Sequence, residues 1–331
     1  MTLSCPYRSS YFPLHLLIVI IGIPLSASAQ TCSCAGAPLT NSLGIGAVSP
    51  RPWQVQLRYD RQDMKHLVEG NQVLEVGENQ RQTKAALLQV THAISPKWQV
   101  TAVMTWVQQE FQARNKLSSN GFGDMILLGQ YRLLGKPGGL QGLYLGAGLT
   151  IPTGGTEKMA DGILLGPDLQ PGTGAWDALF SVLYIRSGLW NAKSGLQASA
   201  TYRVTSEADR FQNNQTYQFG PEILFQASLY QQFLLGNQSI TPNLLMRFRH
   251  TRHDQIDGRR AFNTGGVWLN MGGGMSWGLR DWLSLQAQLF MPIYRDLEGV
   301  QLTSSSRVNL GIVLQLPSTT SSAPAFPEAS Q

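Results

Sequence analysis

The feature that most constrains this chain is the rhythm of its connections. Strand-length runs are joined alternately by short turns and by long polar segments. The runs fall at 52–60, 83–94, 98–111, 122–134, 141–152, 175–187, 190–204, 216–231, 240–250, 264–279, 282–295 and 304–316. Ser95-Pro96-Lys97, Gly135 to Gly139, Ser187-Gly188-Leu189, Leu235 to Gln238 and Arg280-Asp281 carry turn-forming residues. Between them lie the long segments 61–82, 112–121, 153–174, 205–215, 251–263 and 296–303. Short turns at one end and long loops at the other are the pattern of an outer-membrane β-barrel, with the long loops outside the cell. The expected fold class is therefore all-β, a transmembrane antiparallel barrel of about twelve strands.

Residue patterning agrees. In 190–204, Leu196, Ala198, Ala200, Tyr202 and Val204 fall on one face, and Gln197, Ser199, Thr201 and Arg203 on the other. The last run sets Val308, Leu310, Ile312, Leu314 and Leu316 against Arg307, Asn309, Gly311 and Gln315. A period of two places one face in an apolar medium and the other in a polar one. The stretch Met125 to Leu128 breaks the rule, being apolar on both faces. Tryptophans at 53, 98, 106, 190, 268, 277 and 282 mostly fall near run ends, as interfacial girdles require.

Composition sharpens the class. Charged residues make up 14% of the chain, against about 25% in soluble domains. The mean hydropathy of -0.10 looks too polar for a membrane protein, but half of a barrel's strand residues face a polar interior. The net charge is +5 with no Lys/Arg run, so no nucleic-acid footprint is visible. The expected partners are outer-membrane lipid, the barrel-assembly machinery and a small solute.

The ends read differently. Arg8, the apolar run Leu14 to Leu25 and Ala27-Ser28-Ala29 spell a secretory signal over 1–29. An uncharged segment over 30–50 follows, then the barrel over 51–316 and a Ser/Pro/Ala-rich tail over 317–331 that reads as disordered. The tail is a departure, because barrels of this kind commonly end on an aromatic residue. Cys32 and Cys34 leave several readings open: unpaired thiols, an intermolecular bridge or a soft-metal pair.

Candidate site residues are polar-face charges: Arg58, Arg132, Arg203, Glu222, Arg247, Arg249 and Arg307. Such a set either lines a lumen and favours anions or fills a narrow barrel with ion pairs. The segment His250-Thr251-Arg252-His253-Asp254 has ligand-type residues three apart, but no second cluster accompanies it, and neither metal nor cofactor is expected. No His-x-Ser pair is present, and catalysis is not expected either.

One succession of motifs is more specific. Gly121-Phe122-Gly123-Asp124 opens a run that ends in Tyr131-Arg132-Leu133. Gly146 to Gly155 closes the next, and Leu165-Gly166-Pro167-Asp168 and Gly172-Thr173-Gly174 follow. The succession resembles the outer-membrane barrel family labelled as phenol meta-pathway transporters, a distant cousin of the fatty-acid and aromatic-hydrocarbon channels. The resemblance covers 120–316 and is best over 121–205. It implies a passive transporter of small molecules, hydrophobic or aromatic compounds among them. The alternatives are a non-conducting surface or structural barrel and, third, an outer-membrane hydrolase. The glycines themselves read as loop architecture, with Asp124 bonding loop backbone.

Overall fold

The computed structural model describes residues 52–316, apart from 114–115, 137–138 and 212–214. The expected signal, the segment 30–50, the cysteines and the tail lie outside the described residues. Twelve principal strands follow in order: β1 (Trp53–Gly70), β2 (Gln72–Ala93), β3 (Trp98–Gln112), β4 (Lys116–Phe122), β5 (Met125–Leu134), β6 (Gln141–Ile151), β7 (Asp177–Ser187), β8 (Ser194–Val204), β9 (Glu222–Gln231), β10 (Gln238–Thr251), β11 (Gly266–Arg280) and β12 (Leu283–Leu316).

Neighbours in sequence pair antiparallel, β4 and β5 both lie on β3, and β12 returns to β1, closing the ring. Closure leaves the ring without a terminal edge, although β4 itself pairs with β3 alone. β12 is 34 residues long and doubles back at Gly299, where φ is +77°. Its first half pairs with β11, its second with β1, and the amide of Gln315 donates to the Trp282 carbonyl at 2.8 Å. The circuit therefore has twelve passes, β4 with β5 counting as one stave and β12 as two.

Burial is inverted relative to a water-soluble sheet. Gln54, Gln56 and Asp60 are buried, whereas Leu57 and Tyr59 between them are 51% and 40% exposed. The outward apolar band continues through Leu88, Val100, Phe180, Val182, Leu244, Met271, Leu289, Leu310 and Ile312. An apolar exterior around a polar interior is stable only with lipid outside. Trp53, Trp98, Trp190, Trp277 and Trp282 are exposed at the short-turn end, and Trp106 is exposed on the outer surface toward the other. Trp268 departs from the girdle expectation. It points inward, 4% exposed, and its Nε1 donates to Thr303 Oγ1 at 2.9 Å.

The doubly apolar stretch has a local cause. Ile126 faces inward and packs with Ala85, Leu87, Val103, Val107 and Leu179. Leu128 and Leu179 flank Gly148 in adjacent registers. A Cβ at Gly148 would stand 2.3 Å from the Leu127 carbonyl oxygen, so the missing side chain lets both neighbours close over β6.

Three expected long loops are corrected. The segment 61–82 is strand, with β1 and β2 paired out to Glu69 and Gln72 around Gly70, φ +57°. Gly-Asn between alternating residues is a hairpin signal. Likewise 112–121 becomes the β3–β4 hairpin, and 296–303 is the turn inside β12. The loops 153–174, 205–215 and 251–263 remain, carrying short strands of their own such as Met159–Ala160 with Ile163–Leu164. The end carrying each connection is unchanged.

Face assignment can be measured. Leu310→Arg is expected to cost about 2–4 kcal/mol in a lipid-vesicle unfolding titration. Thr241→Arg, on the inner wall, should cost less than half of that. Equal losses would contradict the register.

Candidate functional site

The interior divides into three zones: a folded-in loop at the long-loop end, a charged belt, and a cavity opening at the short-turn end.

The loop is built by the glycine motifs. From Leu165 to Thr173 it is buried, except for a half-buried Gly166, and it passes through the short 3-10 turn Pro167–Leu169. Asp124, at the break between β4 and β5, is fully buried and accepts three hydrogen bonds from this loop. They come from Gly154 N at 2.9 Å, Thr173 N at 2.7 Å and Thr173 Oγ1 at 2.6 Å. Gly154 and Gly172 lie back to back, and a Cβ on either would stand 2.5–2.6 Å from the other's Cα. Further in, Arg81 Nη1 meets Asp168 Oδ2 at 2.7 Å, and Arg81 Nη2 donates to the Asp168 carbonyl and to Gln109. Gln109 Nε2 donates to the Gln170 carbonyl at 3.0 Å, and Ser119 Oγ to that of Leu169. One carboxylate thus ties both ends of the loop, and an ion pair pins its middle.

A second loop cluster stands beside it. Asp254 accepts from Tyr217 OH at 2.6 Å and from Gly220 N at 2.7 Å. Burial pushes the Asp254 carboxyl above its ordinary range, against the pull of these two donors. The carboxylate of the His-rich segment is thus committed to loop structure. Among the described residues no trio of His, Cys, Asp and Glu converges as metal ligands would.

The belt gathers most of the candidate charges. Arg307 Nε and Nη2 both lie 2.7 Å from Asp60 Oδ2. Arg249 Nη2 donates to Glu222 Oε2 at 3.0 Å. Arg203 stands 3.8 Å from Glu222 and 3.8 Å from Asp177. Arg247 lies 4.5 Å over the Phe290 ring and 3.5 Å from Gln226 Oε1. Arg249 lies 4.9 Å from the Trp268 ring centroid. Arg58 faces the same group, with Asp60 and Arg307 as its charged neighbours. Five arginines therefore meet three carboxylates, Asp60, Asp177 and Glu222. The segment 30–50 contains no Asp or Glu to add to them.

Arg132 sits elsewhere. Its Nε donates to Tyr144 OH at 2.9 Å, and its guanidinium lies 5.2 Å from the Tyr144 ring centroid. Both line a cavity of about 1030 Å³ bounded by the ends of β3, β5, β6, β9, β10 and β11 and by the turn Ser95-Pro96-Lys97.

Sequence reading missed Asp60, Arg81, Asp168 and Asp177. Asp60 was legible, since it shares the polar alternation of Gln54, Gln56 and Arg58. Arg81 and Asp168 lie in segments read as loops, where alternation gives no direction. Gly274-Met275-Ser276-Trp277-Gly278 spells a nucleophile-elbow pattern. It runs instead as uninterrupted strand in β11, paired on both sides, without the strand-to-helix turn that exposes such a serine.

Comparison with known proteins fits this geometry. The family model described as "Putative MetA-pathway of phenol degradation" matches residues 111–294. The chain belongs to that family. Among solved structures it is similar to an outer membrane channel from Pseudomonas putida F1, with TM-score 0.66 and 14% identity, covering 81% of this chain and 96% of that one. It is also similar to the β domain of the Bordetella autotransporter BrkA, with TM-score 0.50 and 9% identity over 80% and 100% of the two chains. At these identities the likeness shows the shared barrel fold. No curated protein sequence matches.

The tether has a measurable role. Asp124→Ala removes three hydrogen bonds from the loop while leaving the ring intact. The barrel should keep its heat-modifiable mobility, and added protease should cut within 155–165 several times faster than in the wild type. An unchanged cleavage rate would show that Asp124 does not hold the loop.

Proposed function

We propose that this protein is a passive outer-membrane channel for small molecules, hydrophobic or aromatic compounds among them, with its long-loop end facing the cell exterior. The observation that carries the reading is the cavity of about 1030 Å³, which enters from the short-turn end of the barrel. At the other end stands the folded-in loop, held by side chains and by backbone contacts that a rearrangement can break without opening the ring. A vestibule at one end and a tethered loop at the other suit a gated path. The inward apolar cluster around Leu87, Val103, Ile126 and Leu179 supplies a wall that an uncharged solute tolerates. Membership of the phenol-degradation family supports solutes of this kind.

A second reading is favoured by the belt. Ion pairs this well buried fill space and rigidify, and a barrel so filled could serve as a non-conducting surface protein. Planar-bilayer recording separates the two. The wild type should show brief, sparse openings, and Arg81→Ala with Asp168→Ala should raise the open fraction several-fold. Replacing Arg203, Arg247 and Arg249 with Gln should move the reversal potential away from anions, because charges in a confined pore are poorly screened. Silence from all variants, with the barrel folded, would favour the structural reading.

Orientation is tested on whole cells. Cysteines at Asn71 and Gly162, in a Cys32→Ser/Cys34→Ser background, should react with an impermeant maleimide. Labelling only after permeabilisation would reverse the topology.

A further inference from the structure

The vestibule has a chemistry of its own. Among the described residues, every ionisable side chain of fixed charge on its wall is a cation: Lys97, Arg132 and Lys136. No described Asp or Glu lines it. The rest of the wall is uncharged and includes Gln99, Gln197, Ser228 and Asn243. Two inward tyrosines, Tyr144 and Tyr230, and Ile185 supply apolar surface. The Tyr230 hydroxyl is anchored 3.2 Å from Ser187 Oγ, so its ring is a fixed part of the wall.

Arg132 is the pivotal group. Its Nε is spent on Tyr144 OH, yet its Nη1 is buried and has no hydrogen-bond partner in the structure. An unmatched buried donor is unfavourable, more so on a charged group. The Arg132 side chain lines the cavity, so a small turn of the guanidinium brings that donor to a ligand acceptor there. An arginine donor, unopposed by any acid among the described wall residues, selects an anion, and a carboxylate is an acceptor that a guanidinium fork fits. Aromatic and aliphatic surface beside it selects a flat apolar body attached to that carboxylate.

We infer that the vestibule is a binding site for a small organic carboxylate with a flat apolar body, held by Arg132 and packed against Tyr144 and Tyr230. The inference deepens the channel reading by naming a solute class at one point of the path. It rests on that reading only for the traffic of the solute, because binding to the purified barrel needs no conduction. The excess of arginine in the belt beyond the vestibule gives an anion a favourable field in the same direction.

The test is calorimetric titration of the full-length protein in uncharged detergent with benzoate as the probe. Benzyl alcohol, which has the ring without the charge, and acetate, which has the charge without the ring, are the comparators. Benzoate should bind at least about tenfold tighter than either, since a charge-assisted hydrogen bond is worth about one such factor or more. Arg132→Gln should weaken benzoate about tenfold, and Arg132→Lys should restore part of the loss. Heat-modifiable mobility confirms that each variant is folded. A folded Arg132→Gln protein that binds benzoate like the wild type would overturn the site, as would benzyl alcohol binding equally well. Acetate matching benzoate would overturn the flat-body assignment. No benzoate binding by the folded wild type at about 10 mM would also defeat the proposal. Bilayer recording on the same preparation keeps the two readings apart. Conductance without binding removes the site and leaves the channel, and binding without conductance does the reverse.

Discussion

Everything in this molecule depends on backbone hydrogen bonds that must be closed within the chain itself. A strand in hydrocarbon has no water to pair its amides, so an open sheet edge there costs several kcal/mol per group. Ring closure of β12 on β1 removes the edge and gives the sheet an inside and an outside. Alternation then keeps Gln54, Gln56 and Asp60 on one face and Leu57 and Tyr59 on the other, and lipid outside selects the apolar face for the exterior. The inverted burial thus follows from pairing and lipid together.

A narrow closed ring then creates a problem inside. Its inward positions must be filled or wetted, and this sequence fills them unevenly. Glycine at Gly148 lets apolar neighbours meet across β6. Arginine and carboxylate pairs occupy the belt, and the loop from Leu165 to Thr173 folds in above. The buried pairs cost desolvation and return it through close geometry, so removing one partner is far worse than never having built the pair. The loop is different in kind. It is held by single hydrogen bonds and one ion pair from Asp124, Arg81, Gln109 and Ser119, not by a strand ladder.

How much of this the sequence discloses follows from what periodicity can encode. Strand faces are legible because period two is strict, and that rule alone puts Arg203, Glu222, Arg247, Arg249 and Arg307 on the polar face. Strand length beyond the membrane is not. The residues 61–82 mix polar and apolar side chains on both faces, so in the sequence they look like a loop, and only the Gly70-Asn71 turn hints at a hairpin. Convergence of distant segments is also invisible. Nothing in Asp124, Gly154 or Thr173 taken singly says that they share one hydrogen-bond centre. Alternation gives direction but not height along the barrel, so in the sequence Arg132 falls together with the other arginines. The structure sets it apart beside Tyr144.

Trp268 gives the molecule an internal reporter. The described tryptophans at 53, 98, 106, 176, 190, 277 and 282 are exposed, whereas Trp268 is enclosed with Arg249 over its ring and Thr303 on its indole nitrogen. Quenchers carried on lipid chains, used together with a water-soluble quencher, reach the exposed rings and not this one. Emission that survives both comes from Trp268, and its wavelength follows the cation beside it. The indole that breaks the girdle pattern therefore makes the belt optically addressable from within the intact membrane.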